Sequence, residues 1–341
     1  MLADRIRYVI GVDTHRDMHA LCVLEAASGA LVHESAQQAT RAGYECALWE
    51  VRRTAPSERV WALEGTGSYG KGLARFLGEC GEEVLEVERP ARSGLAGGVK
   101  SDSLDAERAA RVALAGKAAG PPRAGVALEE LRALLATREG AVKACTQARN
   151  ELAALLLSAP DALRERLQGL ARGARLDACR RLRGSDGTRI ALRLLAGRIR
   201  TLQAEADLLE QEIAARVQAH APQLLAYYGV GALSAATILC AWSYRGRVRS
   251  EAAFARIAGV APLAASSGQV VRQRLDRGGD RRLNRALHTI VLCRRRGDPA
   301  TQAYIARRIA EGKSRREASR CLKRYLCRSL FRLLERMPTA P

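Results

Sequence analysis

The segment Gly116–Pro122 (GKAAGPP) separates two kinds of apolar periodicity, and that change constrains the fold more than any other feature. Before the break, short apolar runs alternate with helical spacings. Tyr8–Asp13 (YVIGVD), Ala20–Glu25 (ALCVLE), Leu31–Glu34, Arg59–Glu64 (RVWALE) and Glu83–Val87 (EVLEV) read as strands. Ala42–Arg52, Tyr69–Glu79 and Asp102–Ala115 carry helical spacing. Three opening strands followed by helix–strand alternation predict a mixed α/β sheet covered by helices over residues 1–120.

After the break the pattern is helical. It runs almost unbroken from Val126 to Ser158, with Leu128, Leu131, Leu134, Leu135 and Val142 on one face. A second long helix is predicted from Thr188 to Ala219, with an irregular basic stretch, Pro160–Gly187, between the two. Long amphipathic helices joined this way fit an antiparallel pair, a coiled-coil dimerisation arm or a plain helical bundle over 121–219. From 220 to 341 the pattern is helix, Gly-Val-Gly turn, helix over Gln223–Trp242, then short loops and basic helices to Met337. Aromatics are only 4% of the chain, while Ala, Leu and Arg dominate, which favours helices over an all-β fold.

Charge narrows the function. The formal net charge is +20, and it is unevenly placed. Residues 1–120 hold 15 basic and 17 acidic side chains, whereas residues 245–341 hold 24 basic and 7 acidic ones. A near-neutral segment carrying carboxylates, joined to a strongly basic one, fits a polyanion-binding protein. An anionic membrane is a poor partner, because there is no apolar run of about 18 residues and no signal peptide. The nine cysteines are odd in number, lack C-x-x-C spacing and sit mostly among apolar residues. Buried free thiols in a reducing cytoplasm are expected, rather than a zinc site or a disulfide framework.

Four acids stand where chemistry is placed in sheet proteins. Asp13 and Glu64 close predicted strands, and strand ends open into the crevice where ligands bind. Asp102 and Asp105, three apart at the start of a helix, share a face. Singly, each has an ordinary reading: a helix N-cap for Asp102, a surface acid for Asp105, strand-end acids for the others. Four carboxylates converging on one spot would repel unless cations lie between them, and hard oxygen ligands suit Mg²⁺ or Mn²⁺. Such ions serve phosphoryl transfer.

The basic region carries two further signals. Gly229 and Gly231 in Tyr228–Ser234 (YGVGALS) let backbone N–H groups turn toward a phosphate, although a packing hairpin has the same sequence. Ser266 and Ser267 precede Gly268, beside Arg272, Arg274, Arg277, Arg281 and Arg282. A serine there is either an ordinary turn residue or a nucleophile toward a phosphodiester, and the arginines either stabilise charge or hold a backbone.

The order Asp13, Glu64, Asp102, Asp105, in the contexts IGVDTH, ALEGTGSYG and KSDSLDAERAA, resembles the DEDD transposases of the insertion-sequence-110 family, which include the Piv-type DNA invertases. The run from Gly229 to about Arg296 is similar to that family's C-terminal transposase domain, and the resemblance is weakest from Gly120 to His220. One departure is Gly278-Gly279-Asp280, where a basic-Gly-Asn/Asp pattern is commoner. The resemblance implies an N-terminal RuvC-like domain on a ribonuclease-H-type fold, with Mg²⁺ held by the four acids. It also implies a nucleophilic serine that maps onto Ser267, with Ser266 the alternative. The partners implied are donor and target DNA, a structured bridge RNA encoded by the element, and further copies of the chain in a dimer or tetramer. The setting implied is the prokaryotic cytoplasm, at the nucleoid when DNA is bound. Two rival functions use the same residues. One is a RuvC-like junction endonuclease in which water attacks, and the other is an architectural nucleic-acid binder.

Overall fold

In a computed structural model, residues 4–87, 102–116, 120–123, 126–264, 273–274, 276 and 278–337 are described. Residues 1–124 and 125–341 form two compact units.

The first unit is built on five strands: β1 (Tyr8–Thr14), β2 (Met18–Glu25), β3 (Leu31–Gln38), β4 (Arg59–Glu64) and β5 (Val84–Val87). Helix α1 (Arg41–Thr54) follows β3, α2 (Lys71–Glu79) follows β4, and α3 (Asp102–Leu114) comes last. The sheet order is β3-β2-β1-β4-β5. The first three strands pair antiparallel, and β4 and β5 add parallel to β1. The mixed sheet covered by helices is therefore present. Strand β3 runs four residues past its expected end, to Gln38.

Strand side chains alternate between faces. Ile10, Val12, Leu21, Val23, Trp61 and Leu63 are buried with Leu48, Val51, Leu73 and Phe76 of α1 and α2. Val9, Cys22, Leu24, Val60 and Ala62 are buried on the other face with Ala106, Ala109, Ala110 and Ala113 of α3. Each fully buried leucine contributes roughly 2 kcal/mol of transfer free energy. The four alanines act differently, by letting α3 lie close to the sheet. Above β1 the approach is tightest at Gly11, where a Cβ would stand 1.9 Å from the carbonyl oxygen of Ala106.

The second unit begins with α4 (Val126–Leu157) and contains α7 (Gly187–His220). Cross-helix contacts show that the two run antiparallel. Arg138 pairs with Glu210 at 2.6 Å, the Cys145 thiol donates to the Ile199 carbonyl, and Arg198 reaches Glu151 at 3.7 Å. The expected irregular stretch between them is instead mostly helical, forming α5 (Asp161–Gln168) and α6 (Arg172–Arg180). Leu163, Leu167 and Cys179 anchor these short helices against Leu152, Leu156, Leu192, Ala196 and Ile199.

The remaining elements are α8 (Pro222–Leu225), α9 (Ala232–Trp242), α10 (Glu251–Ile257), β6 (Leu263–Ala264), β7 (Gln273–Arg274), α11 (Arg281–Gly297), α12 (Pro299–Ala310) and α13 (Arg315–Arg336). They share one core. Ile238 and Leu239 of α9, Phe254 of α10, Leu287 and Ile290 of α11, and Leu326 and Leu330 of α13 are buried there. Leu128 and Leu131 of α4 and Ile213 and Val217 of α7 enter the same core. All nine cysteines are free thiols. Among the described residues, no helix is long and apolar enough to cross a membrane.

Candidate metal centre and nucleic-acid interface

Strand register puts two of the four acids on one face. In the parallel pairing of β1 with β4, Val12 lies opposite Leu63, so Asp13 and Glu64 are the next residues along neighbouring strands. Asp13 has the parity of Val9 and Gly11, and Glu64 that of Val60 and Ala62. Both therefore face α3. Both are buried, at 2% and 6% exposure. The first turn of α3 brings Asp102 and Asp105 to the same face, one turn ahead of the close-packed Ala106 and Ala109.

His15 joins the two segments. Its Nε2 lies 3.0 Å from Asp13 Oδ2 and 3.5 Å from Asp102 Oδ1. Ligand atoms of Asp13, His15 and Asp102 all fall within 4.8 Å of one another, a spacing suited to one metal ion. Glu64 and Asp105 lie outside this triplet, and Asp105 Oδ1 accepts from Arg108 at 2.5 Å. The strand-end acids drew attention in the sequence, but His15 did not. Its only local signal is the Asp-x-His spacing at a strand end.

The residues present fit a divalent cation. Asp13 Oδ1 is buried and has no hydrogen-bond partner among the described residues. A buried bare carboxylate oxygen is costly unless a cation or donor meets it. The start of α3 carries partial positive charge, which two acids in its first turn offset. The end of β4 is fixed by the Thr14 hydroxyl, which donates to the Glu64 carbonyl at 2.9 Å.

In the second unit the predicted residues fall into three groups. Ser266, Ser267, Arg272 and Arg277 lie outside the described residues. Arg274 belongs to β7, where its backbone pairs with Leu263 of β6. Gly229, Gly231, Arg281 and Arg282 are all placed.

Gly229 has φ +83° in the turn between α8 and α9, and Gly231 is the N-cap of α9. The turn packs on α11. Arg294 Nε donates to the Tyr228 carbonyl at 2.9 Å, and its guanidinium lies 4.7 Å from the Tyr227 ring centre. Arg281 and Arg282 open α11, capped by Asp280, whose carboxylate accepts from the backbone N–H groups of Arg282 and Leu283. Arg282 also reaches Glu139 of α4 at 2.8 Å. Just before them, Gly279 (φ +79°) stacks against Gly259. A Cβ on Gly279 would stand 2.6 Å from the Gly259 nitrogen, so the Gly278-Gly279 turn is a backbone-to-backbone contact.

Residues 10–159 match the family model of the DEDD-type IS110 transposases, described as Transposase. Residues 221–306 match the model of the Transposase IS116/IS110/IS902 family. The chain is also similar to an "Insertion element IS110 uncharacterized 43.6 kDa protein" of Streptomyces coelicolor, with 31% identity over 154 residues. That stretch covers 44% of this chain and 38% of the relative's own length. Both family models describe transposases. The chain belongs to the IS110 family of transposases.

Proposed function

We propose that this protein is a transposase of an insertion sequence that cuts and rejoins DNA strands with a serine nucleophile and divalent metal ions. The observation that carries the reading is the bare, buried Asp13 Oδ1 beside His15 and Asp102, in a chain of this family. The sheet order β3-β2-β1-β4-β5, with only its first three strands antiparallel, supports a ribonuclease-H-type, RuvC-like first domain over residues 1–120. The antiparallel α4–α7 pair supports a long-helix arm over 121–219, with a basic transposase domain over 220–341.

Asp13, Glu64, Asp102 and Asp105, with His15, hold the metal. Bound there, Mg²⁺ or Mn²⁺ would supply positive charge against the phosphoryl group undergoing transfer. The imidazole in the donor set favours Mn²⁺ over Mg²⁺. The Ser267 hydroxyl gives its proton to water as its oxygen bonds to phosphorus, and the departing deoxyribose oxygen takes up a proton from water. A deoxyribose hydroxyl of the second strand then displaces serine, which regains its proton. Arg272, Arg274, Arg277, Arg281 and Arg282 hold the phosphate backbones without reading bases, and a structured bridge RNA pairs with donor and target DNA. Copies of the chain act together as a dimer or tetramer in the cytoplasm.

The test is recovery of a covalent protein–DNA adduct from a suicide substrate in Mn²⁺. Wild type gives an adduct that maps to Ser267, and Ser267→Ala gives none while still binding DNA. Cleavage without any adduct would replace this reading with metal-assisted hydrolysis by water.

A further inference from the structure

A pocket of about 380 Å³ opens on α11 and α13 in the second unit. Arg281, Asn284, Arg285 and His288 line it from one face of α11, at the i, i+3, i+4, i+7 spacing of adjacent turns. Lys323 lines it from α13. Four permanent or potential cations thus face one small space.

Lys323 is the unusual member. The chain has 56 basic residues, of which only six are lysines, and Lys323 is 92% buried. A buried lysine is ordinarily neutralised by a carboxylate. Here its Nζ donates to the neutral Asn284 Oδ1 at 2.8 Å, and no carboxylate pairs with it among the described residues. Asn284 cannot turn away, because its Nδ2 is held by the Ala258 and Gly259 carbonyls at 2.8 and 3.1 Å. The lysine is therefore positioned by a fixed acceptor that uses one of its three N–H groups. The one carboxylate lining the pocket is Asp276, and its Oδ1 already accepts from the backbone N–H of Gly278 at 2.8 Å. Among the described residues, Arg285 has one long ion pair, 3.6 Å to Glu139, an acid it shares with Arg282 and Lys143.

Cations gathered in a pocket, one of them buried without a counter-charge among the described residues, call for an external anion. A compact ammonium suits a tetrahedral oxyanion approached as a point charge, whereas guanidinium forks suit the rim. Burial, and then Arg320, pull the Lys323 ammonium below its ordinary range. A lysine tolerates this with the pocket empty because it can release its proton, which an arginine cannot.

We propose that this pocket is a phosphate-binding site that seats one backbone phosphate of a nucleic-acid strand, with Lys323 at its base and Arg281 and Arg285 at its mouth. The choice of a nucleic-acid phosphate rests on the function proposed above, whereas the phosphate chemistry rests on the pocket alone.

The experiment is lysine acylation of the full-length protein by an N-hydroxysuccinimide ester, followed peptide by peptide by mass spectrometry. It is run in chloride, in inorganic phosphate at matched ionic strength, and with a duplex oligonucleotide. Lys323 is expected to be protected by both phosphate and duplex, while Lys143, whose side chain is 73% exposed on α4, reacts at an unchanged rate. Lys323→Met is expected to weaken duplex binding about tenfold and lower the slope of log affinity against log salt by about one. Arg281→Gln, at an exposed position, reads the same slope if the buried substitution fails to fold. Equal Lys323 acylation in chloride, phosphate and duplex, with an unchanged salt slope, would overturn the proposal. Protection by inorganic phosphate in a protein that binds no duplex would keep the pocket and discard the nucleic-acid reading. Duplex binding with Lys323 unprotected would discard the pocket and leave that reading standing.

Discussion

Gly11 lies so close to α3 that any side chain there would meet the Ala106 carbonyl oxygen at 1.9 Å and the Ala110 nitrogen at 2.7 Å. This contact sets the height of α3 above β1, and with it the separation of Asp102 from Asp13. Gly11→Ala is expected to lift α3 and to destabilise the first unit by about 2 kcal/mol, through overpacking against backbone. The check is a pair of denaturation curves with and without Mn²⁺. A folded variant that keeps the full Mn²⁺ response would show that α3 need not sit this close.

Asp13→Asn removes a buried charge whose Oδ1 has no partner among the described residues. The metal-free variant is expected to be as stable as wild type or more so. Metal binding stabilises a fold by RT ln(1 + [L]/Kd), about 2.7 kcal/mol at a hundredfold excess over Kd, and that gain should vanish in the variant. His15→Ala should retain part of the gain and narrow the preference for Mn²⁺ over Mg²⁺. Calorimetric titration of both ions into the three proteins decides the matter.

Glu82 tests the first unit's electrostatics away from the metal centre. Its side chain is 5% exposed and accepts from Arg59 at 2.6 and 2.8 Å and from Trp61 Nε1 at 3.1 Å. Burial alone would raise its pKa. The hydrogen bonds from Arg59 and Trp61, the Arg59 charge and a hydrogen bond from Arg52 together outweigh it and hold the carboxyl below the usual glutamate range. A depressed folded-state pKa gives stability that is complete above the unfolded value of 4.5 and is lost as pH falls through the folded value. Glu82→Gln should cost roughly 3 kcal/mol at pH 7 by leaving Arg59 without its counter-charge. The penalty should shrink below pH 4.5, as urea curves at the two pH values would show.

The thiols should divide by burial. Burial pushes Cys22 and Cys327 up to about 12, so neither forms the reactive thiolate in the folded protein. Cys46 and Cys293 are exposed. A thiol reagent at pH 8 should label Cys46 and Cys293 first and reach Cys22 and Cys327 only on unfolding. Early labelling of Cys327 would mean that the core around α13 opens readily.

The parts of the fold legible in the sequence were those where burial imposes a period. YVIGVD and RVWALE are buried on both faces, and their strand-end acids lie where the pattern puts them. Strand β3 was half legible because its polar half, Ser35–Gln38, belongs to an edge with one face in solvent. Helices α5 and α6 were missed because each buries only one or two side chains among arginines, too few for an apolar stripe to emerge. The buried Leu163 and Leu167 stand among arginines in DALRERLQ. His15 and Lys323 were illegible because the contacts that single them out are remote: His15 reaches Asp102 of α3, and Lys323 meets Asn284 across 39 residues.

The α4–α7 pair has its two cores at opposite ends. Between Leu135 and Cys145 on α4 the one buried residue is Ala141, and between Ile199 and Ile213 on α7 it is Ala206. Midway along, the helices are joined by methyl groups and the rim pair Arg138–Glu210, while larger side chains anchor each end. Cooperativity should therefore weaken at that midpoint. The cluster around α5 and α6 should then open and close as a separate unfolding unit while the C-terminal core stays shut. Amide exchange would then show two protection levels along single helices.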